Sequence, residues 1–172
     1  CLDAPTASVS VFLGSGLTIP ASSFTAHPSY RGASGASSLD LGVVLTEEDL
    51  APTPLPILTS RDAKVGEVAV IAGWGQNENN GRGQLRAGTT TISGVSQTTL
   101  QAVFTIESGS GVCYGDSGGP ILASEGGTWA VAGVTSAYSG NSCSTGTNQF
   151  VNLLNAEASA FVFGLVPGAG RK

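Results

Sequence analysis

The feature that most limits the fold of this chain is a succession of short apolar runs separated by glycine- and serine-rich stretches. Runs of this length, bounded by turn residues, are typical of β-strands rather than helices. Their spacing favours antiparallel β-barrels over a sheet connected by crossover helices. The runs that we predict to be strands are Ala7–Leu13, Ser22–Ala26, Leu41–Leu45, Glu67–Ala72, Thr89–Ile92, Leu100–Ile106, Pro120–Ala123, Trp129–Ser136 and Gln149–Leu153.

One segment has the pattern of a helix. Asn155 precedes the run Ala156–Phe163, and asparagine is a favoured N-cap because its side chain accepts hydrogen bonds from the first helical turn. The 25 glycines, eight prolines and 11% charged residues agree with a turn-rich protein. We therefore predict an all-β chain that ends in one short helix.

Residues 115 to 120 have the sequence Gly-Asp-Ser-Gly-Gly-Pro. Gly115 and Gly118 carry no side chain, so the chain can form a concave turn with its N–H groups pointing inward. Ser117 would lie at that turn with an exposed hydroxyl, beside two backbone donors that could bind an oxyanion. A nucleophile and an anion-binding site are two of the three groups that acyl transfer requires. The alternative is an ordinary tight loop, since all four residue types are common in turns.

The chain resembles the trypsin/chymotrypsin family of serine peptidases, in which this hexapeptide surrounds the catalytic serine. Two further motifs carry the resemblance: Gly73-Trp74-Gly75 after an apolar run, and Asp40 at the start of Asp-Leu-Gly-Val-Val-Leu. Each has a simpler explanation by itself, since a Trp between glycines is commonly a packing residue and Asp40 could be solvated. The resemblance implies a double antiparallel β-barrel, with the first barrel incomplete in this chain.

The resemblance also implies roles for the residues of the motifs. Ser117 would be the nucleophile, and Asp40 would orient the catalytic histidine. The backbone N–H groups of Gly115 and Ser117 would form the oxyanion hole. Asp116 would form the activation ion pair with a freshly cleaved N-terminal amino group, which shapes that hole. The substrate-binding residues implied by the resemblance are Gly111, Val112, Tyr114, Ser136, Ala137 and Tyr138.

Cys113 and Cys143 match the ends of a disulfide that, in the family, ties the serine loop to the next loop. Such a bridge would stabilise the fold by roughly 3–4 kcal/mol in the chain-entropy model. Two free, buried thiols are the alternative. The segment between them, from Gly133 to Cys143, is similar to the one that lines the family's substrate cleft. Its strand edge would pair with an extended substrate backbone.

The sequence contains one histidine, His27. It lies in His27-Pro28-Ser29-Tyr30, which resembles a surface element of the family that has no part in catalysis, so we expect a structural or solvated residue. The family's catalytic histidine lies in Thr-Ala-Ala-His-Cys, and this chain begins with Cys1. We therefore expect the chain to be a fragment whose missing N-terminal segment carries the base. Without that base Ser117 is a poor nucleophile, and the chain alone should be inactive.

The expected organisation has four parts. Residues 1–50 form the remaining part of the first barrel, and residues 51–64 form the crossover. Residues 65–154 form the second barrel with the serine loop, and residues 155–172 form the helix and tail.

Charge and hydropathy exclude several functions. The net charge of −5 and the pI near 4.6 provide no basic face for nucleic acid. No apolar run approaches membrane-spanning length, and we find no metal-ligand cluster and expect no cofactor. The disulfide and the low charge favour a secreted protein. The expected partners are a peptide or protein substrate and the missing N-terminal segment.

The position that binds arginine or lysine in trypsin-like members is Gly111 here. With no carboxylate there, a cationic side chain would lose its hydration without compensation, so we expect a preference for small or medium apolar residues. The segment from Ser136 to Cys143 is one residue longer than usual, and either Ala137 or Tyr138 could narrow the entrance. A catalytically dead, peptidase-like binding domain is the main alternative, and a two-chain enzyme is another.

Overall fold

The computed structural model describes residues 8–14, 16–32 and 39–172, with the backbone alone for Asn141 and Ser142. Cys1 and Ala7, on which two of the expectations above depend, lie outside the described residues. The described residues form strands and one C-terminal helix, which confirms the all-β prediction. The chain divides into two compact units between Pro54 and Leu55, and the four-part organisation stays a prediction.

The first unit contains a three-stranded antiparallel sheet whose strands lie side by side in chain order. The central strand pairs Ile19 with Val11 on one side and Phe24 with Val44 on the other. These three strands are all that the described residues of this unit contribute, and the incompleteness of the first barrel stays a prediction. The strands are β1 (Ser10–Phe12), β2 (Thr18–Ala26) and β3 (Gly42–Thr46).

His27 directly follows β2 and is buried, with 3% of its surface exposed. Its Nδ1 accepts a hydrogen bond from the backbone N–H of Ser29 at 3.1 Å, and its carbonyl accepts from Tyr30 N at 3.0 Å. Its own N–H donates to Leu41 O at 2.8 Å, next to β3. These bonds close a turn around Pro28 and tie it to β3, as expected for a structural histidine.

The second unit is built on one curled, antiparallel seven-stranded sheet. Its strands are β4 (Val68–Gly73), β5 (Arg86–Thr91), β6 (Gly94–Val95), β7 (Thr99–Thr105), β8 (Pro120–Glu125), β9 (Thr128–Ser142) and β10 (Thr145–Asn152). Their order across the sheet is β5-β4-β8-β9-β10-β7-β6. Alternation of side chains is clearest in β7, where Leu100, Ala102 and Phe104 are buried and the residues between them are exposed. The inward side chains form one core, in which Phe150, Ile92 and Ile121 are completely buried.

Every predicted strand has a counterpart in the structure, but β2, β5, β8, β9 and β10 are longer than their apolar runs. Polar residues continue the pairing there, because backbone groups form the ladder whatever the side chain is. The short strand β6 had no apolar run to predict it. The predicted helix is confirmed as α1 (Ala156–Leu165), and the Asn155 side chain accepts from Glu157 N and Ala158 N, each at 3.0 Å.

Strand β9 contains a bulge that decides which of its side chains face the core. Thr135 pairs with Phe150 and Ala137 pairs with Gln149, so Ser136 is an extra residue without an opposite partner on β10. Tyr138 then pairs with Asn148, which is fully buried. Directly opposite residues share a face of the sheet. The bulge therefore turns Tyr138, rather than Ala137, toward the side of the buried residues.

A cluster of charged side chains joins three parts of the second unit. The guanidinium of Arg61 donates to the carboxylate of Glu67, directly before β4, with Nη2 at 2.6 Å from Oε1. It also donates to the carboxylate of Glu125, the last residue of β8. It also donates to Ser124 O at 2.8 Å. The hydrogen bonds from Arg61 lower the pKa of Glu67 below its ordinary value of 4.5. The cluster holds the segment after Leu55 against the sheet.

We expect Glu67→Gln to lower the free energy of unfolding at pH 7 by about 1–2 kcal/mol, because a charged acceptor of Arg61 is lost. The pKa of Glu67 is lower in the folded state, so its contribution is complete above pH 4.5 and declines as the pH falls through the folded-state pKa. The difference between the variant and the parent chain should therefore shrink at pH 3. Urea unfolding at both pH values measures it. Asp62→Asn, the same charge change at an exposed neighbour, is the control and should change stability by less than about 0.5 kcal/mol. An equal loss in both variants would contradict the assignment.

Candidate functional site

The hexapeptide forms the loop that enters β8, and its glycines have the conformations that the sequence predicts. Gly115 and Gly118 have φ values of +96° and +84°, a region that side chains other than glycine rarely adopt. Asp116 N donates to Cys113 O at 3.0 Å and Gly119 N donates to Asp116 O at 2.9 Å, which closes two consecutive tight turns. Ser117 lies between them and is exposed.

Two hydrogen bonds fix this loop to β9. Gly118 N donates to Thr135 O at 2.9 Å, and Thr135 N donates to Gly119 O at 2.8 Å. The N–H of Gly118 is therefore engaged. Within the part of the chain that the structure describes, the backbone N–H groups of Gly115 and Ser117 have no hydrogen-bond acceptor. These two donors are the ones that the resemblance implies for an oxyanion hole.

Asp116 points away from the exposed face of the loop and is held by two backbone donors. Its Oδ1 accepts from Gly75 N at 2.8 Å, and its Oδ2 accepts from Cys113 N at 2.9 Å. A Cβ atom on Gly73 would lie 1.9 Å from Oδ1, and one on Gly75 would lie 2.4 Å from the carboxyl carbon. The two glycines thus leave the space that the carboxylate fills. Sequence analysis saw Gly73-Trp74-Gly75 only as a family motif and missed this contact.

A cavity of about 360 Å³ adjoins Asp116. It lies between the end of β4, the start of β5 and the segment that precedes the serine loop. Its lining combines glycine backbone and apolar side chains with three charged side chains, those of Glu78, Arg86 and Asp116. Among the other lining residues are Gly73, Gly75, Phe104, Gly111 and Cys113.

The disulfide between Cys113 and Cys143 is formed, with Cα atoms 5.4 Å apart, as the resemblance implied. It joins the start of the serine loop to the turn between β9 and β10. Val112 N donates to the Oδ1 of Asn148 at 3.2 Å, so a buried side chain of β10 holds the same segment. Asn148 is completely buried and its Nδ2 has no acceptor in the described residues. The only sign of this contact in the sequence is that Asn148, a polar residue, directly precedes the predicted strand Gln149–Leu153.

The six predicted substrate-binding residues have different environments. Val112 is 4% exposed and belongs to the core, whereas Tyr114 is 68% exposed. Gly111 is half-buried, and a Cβ atom there would lie 2.0 Å from the Phe104 ring. The other three lie on β9 beyond its contact with the serine loop and are half-buried. They are Ser136, Ala137 and Tyr138.

Asp40 belongs to the first unit, where it is half-buried between Leu39 and Leu41, both of which are buried. Its partnership with Ser117 through an imidazole stays a prediction. The described residues include no group of three potential metal ligands. No helix in the described ranges is long and apolar enough to cross a membrane.

Comparison with known proteins agrees with this architecture. The family model Trypsin matches residues 4–156. A mutant of human heparin binding protein (CAP37) has a similar fold, with a TM-score of 0.63 and 23% identity over 90% of this chain and 69% of that one. CLIP domain-containing serine protease B14 of Anopheles gambiae is 28% identical over 66% of this chain and 38% of its own length. Chymotrypsin-2 of Vespa crabro is 31% identical over 49% of this chain and 45% of its own.

The chain belongs to the trypsin family, since the family model covers most of its length. The matches span less than half of the length of the two curated relatives.

We expect Gly75→Ala to destabilise the second unit by about 1–3 kcal/mol, because the added methyl collides with the Asp116 carboxylate. Urea unfolding followed by tryptophan fluorescence, which reports on the adjacent Trp74, measures the loss. Gly164→Ala is the matched control. It lies in α1 with nothing within 4 Å of the added atom, and it should raise stability by about 0.5–1 kcal/mol. Equal stability of the two variants would refute the close packing of Asp116.

Proposed function

We propose that this chain is the nucleophile-bearing part of a serine endopeptidase that cleaves peptide bonds through an acyl-enzyme at Ser117. The observation that supports this most strongly is the pair of backbone donors, Gly115 N and Ser117 N, left without acceptors beside an exposed serine hydroxyl. Preorganised amides of this kind stabilise the anion that develops on a substrate carbonyl oxygen.

The chemistry also needs a base, and we propose that it is a histidine outside these 172 residues, oriented by Asp40. His27 is already engaged in its own turn, with Nδ1 accepting from Ser29 N. In the proposed first step the external imidazole takes the hydroxyl proton of Ser117 as its oxygen attacks the carbonyl carbon. The leaving amine then receives that proton, and water releases the acyl group by the same route.

We propose that Asp116 organises the oxyanion hole. Its carboxylate holds Gly75 N and Cys113 N, which fixes the loop on the side opposite Ser117. The adjoining cavity is bordered by this carboxylate and is suited to an incoming N-terminal amino group, which would complete the ion pair that the resemblance implies.

The disulfide between Cys113 and Cys143 supports the proposal that the protein is secreted.

We propose that the substrate backbone pairs with β9 beyond the serine loop. The ladder between β8 and β9 ends at the pair Pro120–Val134, while β9 continues to Ser142. An extended peptide placed along this stretch would bring its scissile bond next to Ser117.

A fluorophosphonate probe tests the nucleophile. We expect rapid labelling of a longer protein that includes the residues encoded upstream of Cys1, and none in its Ser117→Ala variant. The 172-residue chain alone should react slower by orders of magnitude, since loss of the triad base costs on the order of 10⁶-fold in kcat in a comparable enzyme. A longer protein that folds but takes up no label would favour the alternative, a peptidase-like binding domain. Rapid labelling of the short chain would refute the need for an external base.

Specificity is tested with peptide substrates that differ only in the residue before the scissile bond. We propose a preference for small or medium apolar residues. Gly111 has no side chain that could supply a carboxylate, and a Cβ atom at this position would meet the Phe104 ring at 2.0 Å. An arginine or lysine side chain of the substrate would therefore find no opposite charge at position 111 to compensate its loss of hydration. We expect kcat/KM of the longer protein for alanine or leucine substrates to exceed that for arginine by about 10²-fold. Faster cleavage after arginine would show that this preference is wrong.

A further inference from the structure

The loop between β4 and β5 contains an Asn-Gly pair, Asn80 and Gly81, for which the proposed catalysis has no use. Both residues are exposed to water. In such a pair the backbone nitrogen of the glycine can attack the side-chain amide carbon of the asparagine, because no Cβ atom of the glycine shields that nitrogen. Asparagine is among the thermally labile residues of proteins. The pair is therefore a candidate for covalent change without an enzyme, whatever the function of the chain is.

The pair lies in a tight turn of residues 77–81. Asn80 N donates to Asn77 O at 3.0 Å, and Asn77 N donates to Gly81 O at 3.0 Å. Asn80 has a φ of +63°, which in the described ranges is the one positive value outside glycine. Asparagine tolerates this left-handed conformation better than most residues. The pattern is that of a three-residue hairpin loop with Asn80 at its left-handed position.

The side chain of Asn77 holds the nitrogen that would attack. Its Oδ1 accepts from Gly81 N at 2.6 Å and from Asn79 N at 3.0 Å. A Cβ atom on Gly81 would lie 3.2 Å from this oxygen, so the carboxamide packs directly against the glycine. The nitrogen must lose its proton before it attacks, and a hydrogen-bonded amide proton is removed only when the bond opens. Asn77 therefore restrains the nucleophile.

The side chain of Asn80 is bound within the same loop. Its Oδ1 accepts from Gln76 Nε2, and Gln76 Oε1 accepts from Arg82 Nη2 at 2.8 Å. Attack requires Cγ of Asn80 and the nitrogen of Gly81 to come into contact, while each of the two groups is held by a different partner. The turn must therefore open before the reaction can occur.

We propose that Asn80 is a site of spontaneous deamidation and that the side chain of Asn77 sets its rate. When the turn opens, hydroxide removes the proton of Gly81 N, and this nitrogen forms a bond to Cγ of Asn80. The bond from Cγ to the side-chain nitrogen breaks, and that nitrogen takes a proton from water and leaves as ammonia. Water then opens the cyclic imide at one of its two carbonyl carbons. The product has either aspartate or isoaspartate at position 80.

Isoaspartate prevents the turn from closing again. It adds one carbon to the main chain before Gly81, so the two bonds between Asn77 and Gly81 cannot both form. Either product also adds a negative charge to the loop, whose residues Gln76, Asn77 and Glu78 border the cavity beside Asp116. The reaction thus changes the rim of this cavity after the chain has folded.

Peptide mapping by mass spectrometry during incubation at mildly alkaline pH tests the proposal. The parent is the longer protein with Ser117→Ala, so that self-cleavage cannot remove the loop. Asn77→Ala removes the restraint on Gly81 N. The matched control, Asn79→Ala, removes an exposed carboxamide and leaves that restraint in place. Circular dichroism reports whether each variant is folded.

We expect conversion at position 80 in the parent and none at Asn77 or Asn79, which are followed by larger residues. Asn77→Ala should raise the rate about 10-fold, because the turn opens more often without its two side-chain bonds. Asn79→Ala should stay within about twofold of the parent rate. Equal rates in the two variants would overturn control by Asn77. No conversion in the parent or in Asn77→Ala, while a free peptide of residues 76–84 is converted, would overturn the whole proposal.

An arginine-specific protease tests whether the product opens the turn. Arg82 is exposed and directly follows the turn, so loss of the turn should make the bond after it easier to cleave. We expect the parent to be cleaved there faster after incubation than before it. Asn80→Gln, which lacks the reactive asparagine, should show no such change. Equal cleavage of the parent before and after isoaspartate has formed would contradict the opening of the turn.

Discussion

The carboxylate of Asp116, held between Gly75 N and Cys113 N, is the interaction on which the serine loop depends. Its neighbour Ser117 is exposed while Asp116 turns inward, so one loop joins an exposed hydroxyl to an internal anchor. These two hydrogen bonds stabilise the loop, because a half-buried carboxylate and the two N–H groups would each carry a desolvation penalty if they were left unpaired. The glycines at 73 and 75 are required by this contact, since a side chain at either would displace the carboxylate.

Strand β9 connects the parts of the proposed site. Near Thr135 it holds the serine loop through two backbone bonds, and beyond the bulge it turns Tyr138 toward the core. The disulfide and the Asn148 side chain hold the preceding segment from the β10 side. The loop that carries Ser117 and the bulge at Ser136 are thus held by one rigid element.

Much of the fold could be predicted because its determinants are local. The strand runs, the Asn155 cap and the turn glycines each act within a few residues, and the structure contains all of them. β6 was not predicted because a strand of two residues shows no periodicity. β9 was predicted too short because its polar end pairs through backbone groups, which leave no apolar pattern. The cluster of Arg61, Glu67 and Glu125 could not be found either, since Arg61 and Glu125 are 64 residues apart.

The amino-acid order by itself determined the tight turn around Ser117, because only glycine adopts positive φ at 115 and 118 without strain. It also determined the antiparallel strand class and the family motifs. Only the tertiary structure decided which of Ala137 and Tyr138 faces the core. Simple alternation from the buried Thr135 would have turned Ala137 inward, and the single extra residue at Ser136 reverses the faces. A bulge arises from the register between two strands, and that register is set by the packing of the whole sheet.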